Sequence, residues 1–314
     1  MAGFILKRCI ATIIIVVITA FLIFTILYFT PANPTDALLG QYATLEEKAA
    51  MAAKLGIDRP YLVQLGDYMY TTFIRFDFGN SWTYGTPVFQ ELIVRMPRTL
   101  IIGLSAMVIN LALGLSLGIY AGVHAGRWED SVVMGIAMLF IASPNFWVAL
   151  MMIILFSSVL NWLPPYGIGS WQCYIMPIIA SAITGIAVNA RFGRNSIVEV
   201  LRADYITTAR AKGLRERAVI FRHMLPNALM PTITNIGRIL SAIIAGSPVI
   251  ESVFSIPGVG MYLLTAINTR DYPAVRACVL FFVVFISIIM LCVDLAYAAV
   301  DPRIKAKFIT QHVT

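Results

Sequence analysis

The sequence predicts an all-α polytopic membrane protein, and three observations lead to this class. Of its 314 residues, 59% are hydrophobic and 12% are charged, whereas soluble domains average about 45–50% apolar and about 25% charged residues. Aromatic residues make up 11% of the chain, which is the opposite of the signature of disorder. Long uncharged runs recur along the sequence. Together these features exclude an ordinary soluble enzyme and a disordered chain.

Six apolar runs are long enough for membrane-spanning helices, which need about 20 residues each. In chain order they cover residues 10–29, 100–123, 132–160, 173–190, 229–249 and 277–300. No small-residue cleavage site follows the first run, which therefore reads as an uncleaved anchor and not a signal peptide. The predicted organisation is an anchor span (1–30), an extracytoplasmic segment (31–98) and a five-span core (99–314).

The charge distribution predicts the topology, because cytoplasmic loops carry an excess of Lys and Arg. Between Arg191 and Arg222 the chain has eight basic and three acidic residues, whereas residues 31–98 have six basic and seven acidic. We therefore expect both termini and a loop at 191–226 to be cytoplasmic, in a multi-pass protein of the cell membrane. The basic loop could contact anionic lipid headgroups. A nucleic-acid partner is not expected, since the stacking aromatics that such proteins use are nearly absent there.

Residues 31–98 contain signals for two short helices. Thr44, with Glu47 three residues later, matches a capping box, and Gly56 supplies a stop signal for the helix between them. A second helix is expected over residues 60–73.

Signals for catalysis or metal binding are scarce. The three histidines lie on different segments, and no His, Cys, Asp or Glu cluster has the spacing of a metal site. The four cysteines show no disulfide spacing and read as small apolar side chains. A phosphate-binding G-x-x-x-x-G-K-[ST] loop is also missing from the sequence. We expect no enzymatic activity and no cofactor in this chain, so that any ATP and magnesium would bind to a partner.

Two features concern helix packing inside the membrane. Gly114, Gly118 and Gly122 recur every four residues, a spacing that lets another helix approach closely. Arg238 and Asp294 are ionisable residues within predicted spans, where such groups are costly enough to suggest a function. The favoured interpretation is structural, either a pair between spans five and six or snorkelling of Arg238 to the cytoplasmic boundary.

The loop between spans four and five contains a predicted break. A helix through residues 199–211 should end at Gly213, which can adopt a left-handed conformation, and helical structure should resume near Arg215 and continue to Pro226. The result would be two short helices at an angle. The alternative is a basic amphipathic loop lying on lipid.

This loop resembles the cytoplasmic EAA signature of membrane subunits of ATP-binding-cassette importers, E-A-A-x3-G-x9-I-x-L-P. Ala209, Gly213, Leu225 and Pro226 match the pattern, while Thr207 and Thr208 replace its Glu and Ala and His223 replaces its Ile. The sequence T-A-R-A-K-G-L at 208–214, with His223 and N-A at 227–228, is similar to the corresponding loop in the dipeptide, oligopeptide and nickel permease family.

Further motifs of that family follow in family order along nearly the whole chain. They are L-G-I-D-R-P at 55–60, D-F-G-N-S at 77–81, R-M-P-R-T-L at 95–100, S-P-N-F-W at 143–147, A-R at 190–191, P-G-V-G at 257–260, R-D-Y-P at 270–273 and D-P-R at 301–303. The resemblance implies a type I importer permease that pairs with a homologous second permease, two ATP-binding-cassette ATPase subunits and an extracytoplasmic solute-binding protein.

The resemblance also implies how the chain works, by alternating access driven by ATP on the partner subunits. The loop would transmit the ATPase motion, with apolar residues docking in a groove of the partner. The residues expected to couple to the ATPase are Ala209, Ala211, Gly213, Leu214, Val219, Ile220, Phe221, Leu225 and Pro226. No residue is assigned to substrate binding or to a metal.

The substrate class stays open at this stage. Within the family, di- and oligopeptides come first, and nickel or a metal chelate is the alternative, favoured by W-L-P-P-Y-G at 162–167, Trp171 and N-A-R at 189–191. An ion-coupled secondary transporter using Arg238 and Asp294 is the opposed class. It predicts internal repeats, which the sequence does not show.

Overall fold

The computed structural model describes residues 2–31, 34–40 and 42–300, and this part of the chain is built from helices without a β-sheet, as predicted. In chain order the helices are α1 (Ala2–Phe29), α2 (Pro34–Leu39), α3 (Leu45–Leu55), α4 (Tyr61–Phe73), α5 (Val88–Val123), α6 (Trp128–Ala142), α7 (Asn145–Met152), α8 (Ile175–Leu201), α9 (Asp204–Ala211), α10 (Glu216–Ala218), α11 (Leu225–Val253), α12 (Val259–Asn268) and α13 (Tyr272–Val300). The sequence motif at 301–303 and the basic residues after it lie outside the described residues.

Several helices are long and apolar enough to cross a membrane. Four qualify within the described residues, namely Arg8–Phe29, Val88–Val123, Trp171–Leu201 and Tyr272–Val293. A fifth is added if the bent pair α6 and α7 counts as one span. Helix α11 covers the predicted span at 229–249, but it is not among these apolar helices. The count of six spans therefore stays a prediction.

The span predicted at 132–160 is not one straight helix, because the chain bends by 104° between α6 and α7; whether this bent pair crosses the membrane as one span stays a prediction. The break lies at Ser143 and Pro144. Proline disfavours the helical conformation in the residue before it, and Ser143 accordingly has extended backbone angles, φ −87° and ψ 130°. After α7 the chain continues as a π-helix over Ile153–Val159.

The two short helices predicted in residues 31–98 are confirmed. Thr44 and Glu47 form a complete capping box, in which the Glu47 N–H donates to Thr44 Oγ1 at 3.2 Å and the Thr44 N–H donates to Glu47 Oε2 at 2.8 Å. These hydrogen bonds from Thr44 lower the pKa of Glu47. Gly56 ends α3 in the left-handed region at φ 70°, and α4 follows after Pro60.

The chain divides into two compact units. The first comprises the described residues of 1–99 and Pro257–Leu291, and the second comprises Leu100–Ile256 with residues 292–300. In the first unit the buried carboxylate of Asp271 binds the Ser81 hydroxyl and accepts the N–H of Trp82 at 3.1 Å. The Arg276 guanidinium stacks on the ring of Tyr68, with its carbon 4.7 Å from the ring centroid. Burial raises the pKa of Tyr68 to about 12, since it disfavours the charged phenolate.

In the second unit α8 lies at the centre, packed by α6, α7 and α11. One buried apolar cluster includes Ile102, Met176 and Phe254. A second includes Ile197, Ile206 and Met224 and joins the end of α8 to the short helices that follow it. These two clusters fix the elements that carry the candidate site.

Candidate functional site

The segment from Arg202 to Pro226, called here the angled segment, has a backbone that partly matches the prediction. Gly213 has a φ of 76°, so the left-handed turn predicted there is confirmed. The expected unbroken helix over 199–211 is wrong, because α8 ends at Leu201 and Ala203 is extended at ψ 142° before α9 begins. No helix end occurs at Pro226 either.

The second half of the angled segment continues directly into α11. Helical structure resumes at Glu216, passes through a π-helical stretch over Val219–Met224 and enters α11 at Leu225. Pro226 lies in the first turn of α11, directly after the π-helical stretch, so its missing N–H falls where the helical hydrogen bonding changes from π to α. The angled segment is therefore continuous with a long helix of the second unit.

Part of the set of apolar coupling residues predicted for partner docking is buried inside this chain. Val219 is fully buried and Ala209 is 6% exposed, and Ile220 and Leu225 pack against the same cluster. The prediction that Val219 docks in a partner is therefore wrong, because its side chain has no solvent-accessible surface. The side chain of Phe221 lies outside the described part of the structure.

The outward face of the angled segment is formed by other predicted residues. Ala211, Gly213 and Pro226 are exposed, and Leu214 is 41% exposed. Tyr205, which the sequence reasoning did not select, is also exposed on α9. An aromatic side chain with a polar tip at the start of such a helix is the signal that could have identified it.

An ion pair connects the two sides of the Gly213 turn. Arg210 Nη2 donates to Glu216 Oε1 at 2.5 Å, and Arg210 Nε donates to Glu216 Oε2 at 3.2 Å. This bidentate hydrogen bonding from Arg210 lowers the pKa of Glu216. Both side chains are about half exposed, so the pair bridges the turn but contributes little to stability.

The three glycines of α5 lie directly against α8. A Cβ placed on Gly114 would be 2.7 Å from Asn189 Cβ, one on Gly118 would be 2.7 Å from the Ala190 carbonyl oxygen, and one on Gly122 would be 2.6 Å from Ile197 Cβ. Real Cβ atoms essentially never approach other heavy atoms so closely. The backbones of α5 and α8 therefore meet here without intervening side chains.

Arg238 lies near the middle of α11 and lines a cavity of about 350 Å³ within the second unit. The side chain of Asp294 lies outside the described part of the structure, so their pairing stays a prediction. The other polar residues of the cavity come from α5, α7 and α8. They are Asn110, Asn145, Ser181 and Thr184.

Two of these polar groups are buried without a partner among the described residues. Asn110 is fully buried, and its Nδ2 makes no hydrogen bond, while its Oδ1 accepts one from Asn189. Ser181 is 8% exposed, and its hydroxyl is likewise without a partner in the described chain. Sequence reasoning assigned no substrate site, because these side chains occur singly on different helices. Their only signal was a lone polar residue within an apolar run.

Within residues 2–31, 34–40 and 42–300, no group of three or more His, Cys, Asp or Glu side chains could hold a metal ion.

The helices define a class of protein, a multi-pass membrane protein, and several polar side chains line a mostly apolar cavity between its helices. The comparison with known families agrees. Residues 114–306 match the binding-protein-dependent transport system inner membrane component family, and residues 1–103 match its N-terminal membrane component. The chain belongs to this family, which confirms the resemblance inferred from its motifs.

Named relatives extend over the whole chain. A glutathione transport system permease protein of Salmonella choleraesuis (strain SC-B67) is 37% identical over 307 residues, covering 98% of this chain and 100% of the relative. A Brucella abortus (strain 2308) protein, assigned by its name to a peptide transport system as permease, is 36% identical over 313 residues, covering 97% and 99%.

A solved structure shares the fold. It is titled as the crystal structure of an amino acid ABC transporter with histidines, and it matches with a TM-score of 0.54 at 13% identity, covering 68% of this chain and 95% of that chain.

Proposed function

We propose that this chain forms half of the translocation path of an ATP-driven importer for di- and oligopeptides, including tripeptides such as glutathione. The observation that carries the proposal is the end-to-end similarity to permeases named for glutathione and peptide transport. Its partners would be a homologous second permease, two ATP-binding-cassette ATPase subunits and an extracytoplasmic solute-binding protein.

In this proposal the angled segment transmits the motion of the ATPase subunits. It contains the turn that the family signature requires at Gly213, and its inner face is anchored by Ile206, Val219 and Met224. Because the anchor is buried and the helix continues into α11, a push on the exposed face would move a long helix and not only a surface loop. The partner contact would use Tyr205, Ala211 and Leu214 together with Gly213 and Pro226.

The division of labour can be tested with purified components. The chain alone should neither bind nor hydrolyse ATP, since its sequence has no phosphate-binding loop. The complex purified through a tag on this chain should hydrolyse ATP. Nucleotide binding by the chain alone would contradict the proposal.

Substrate class is tested by uptake into proteoliposomes that contain the complex and its binding protein. Radiolabelled glutathione and trialanine are the peptide probes, and Ni²⁺ with and without a chelator is the competing probe. ATP-dependent uptake of a peptide supports the proposal. Uptake of nickel alone would assign the chain to the metal branch of the family instead.

A further inference from the structure

We infer that the cavity beside Arg238 is a binding subsite for a carboxylate group, and that it receives the C-terminal carboxylate of a peptide. The identity of the ligand as a peptide rests on the proposed function. The preference for a carboxylate follows independently from the side chains that line the cavity.

The polar groups without a described partner are hydrogen-bond donors. The Arg238 guanidinium has only donors. Asn189 donates to Asn110 Oδ1, so the Asn110 amide turns its NH₂ group away from that bond, and this group has no acceptor within the described residues. The Ser181 hydroxyl can donate as well. A buried donor without an acceptor is costly, so Asn110 and Ser181 fit a ligand that brings acceptors, and the exposed Arg238 adds a charged donor at the mouth of the cavity.

The absence of a side chain at Gly185 leaves room for the Asn110 amide. A Cβ on Gly185 would overlap Asn110 Nδ2, so only a glycine at this position leaves room for the group. Gly185 itself lines the cavity. The arrangement places a fully buried amide at the wall of the cavity.

No Asp or Glu lines the cavity among the described residues, whereas Arg238 does. An arginine can bind a carboxylate through two parallel hydrogen bonds, which are about twice as strong as neutral ones. The volume of about 350 Å³ lies within the range of small-ligand pockets. Apolar side chains of Ile239, Ile243 and Ile250 complete the lining and would face the methyl groups or side chain of the bound residue.

The test is equilibrium binding of radiolabelled trialanine and of its C-terminal amide to the importer complex in nanodiscs, without the solute-binding protein. Wild type should bind trialanine at least about tenfold more tightly than the amide, as expected for losing hydrogen bonds to a charged group. Arg238→Gln should remove this preference, and Arg238→Lys should restore part of it because the positive charge is kept.

Two matched pairs of variants separate the cavity from general damage. Ser181→Ala removes an unpartnered hydroxyl in the cavity, whereas Ser241→Ala removes a hydroxyl that donates to the Gly237 carbonyl at 2.8 Å outside it. Gly185→Ala displaces the Asn110 amide, whereas Gly135→Ala adds a methyl group to open space. Only the first member of each pair should weaken trialanine binding.

The outcomes distinguish the two proposals. Equal binding of trialanine and its amide by wild type, or a preference kept by Arg238→Gln, would overturn the carboxylate subsite even if peptides are imported. A preference in wild type that Arg238→Gln removes, in an importer that takes up no peptide, would uphold the subsite and refute the proposed function.

Discussion

Gly213 is the residue of the angled segment whose backbone conformation favours glycine. Its φ of 76° is rarely adopted by residues with a side chain, yet a Cβ there would meet nothing within 4 Å. The cost of replacing it is therefore one of backbone conformation and not of packing. A substitution at Gly213 therefore tests the backbone conformation of the turn without disturbing side-chain packing.

Gly213→Val should keep the chain folded but lose most ATP-driven uptake and most of the ATPase activity that the loaded binding protein stimulates. The physical reason is a local cost of about 1–3 kcal/mol for a side chain at this φ, which re-aims residues 214–226. Gly213→Asn should remain near wild type, because Asn tolerates the left-handed region. Both are measured on membranes with matched expression.

A control for strain in general is Gly126→Val, since Gly126 has a φ of 82° and equally open surroundings outside the angled segment. It should reduce uptake much less than Gly213→Val. Normal uptake by Gly213→Val would argue against a coupling role for the segment.

The ion pair across the turn predicts a flat pH response. Arg210 holds the pKa of Glu216 below its ordinary value, so the pair is complete above the unfolded pKa, near 4.5, and is lost only as the pH falls through the still lower folded pKa. Glu216→Gln should cost at most about 1 kcal/mol, as exposed pairs do. The ratio of mutant to wild-type uptake should then be constant between pH 6 and 8, and a ratio that changes severalfold over this interval would contradict it.

At the scale of helices, the sequence predicts correctly those helix ends at which a single residue determines the backbone conformation. The capping box at Thr44 and the left-handed stops at Gly56 and Gly213 were predictable, because the required side chain or its absence is visible in the sequence. The break at Pro144 has the same kind of signal, although the hydropathy of the apolar run around it predicts a single span. The break at Ala203 has no Gly or Pro, and the residues after it, Ile206 and Ala209, are buried in a cluster that the sequence alone does not show.

The contact between α5 and α8 yields a prediction about stability. Gly118→Val should lower the apparent melting temperature and the yield of purified protein, because the added side chain meets the Ala190 carbonyl and the Arg194 and Gly193 backbone. Backbone atoms cannot rotate away, so a cost of about 1–3 kcal/mol or more is expected from overpacking.

Gly135→Val serves as the matched control, since a Cβ at Gly135 of α6 would meet nothing within 4 Å. It should leave yield and melting temperature close to wild type. Equal losses in both variants would mean that a helical glycine matters here for its flexibility and not for the close contact.

For the whole molecule, composition and motif order predicted more than contacts did. The helical membrane class and the permease family followed from 59% hydrophobic residues and ordered motifs. The cavity did not, because Asn110, Ser181 and Arg238 are far apart in sequence and meet only when α5, α8 and α11 pack together. The burial of Val219 was unpredictable for the same reason, since an apolar residue in a loop can face a partner or its own chain.

The orientation of the whole chain in the membrane is predicted by its charges, with residues 31–98 outside and residues 191–226 inside. After replacement of Cys9, Cys173, Cys278 and Cys292, single cysteines at Leu62→Cys and Arg215→Cys test this, since both positions are exposed. A thiol reagent that cannot cross membranes should label Leu62→Cys in intact cells and leave Arg215→Cys unlabelled, and permeabilised cells should label both. Labelling of Arg215→Cys alone in intact cells would invert the topology and place the angled segment on the side where no ATPase could reach it.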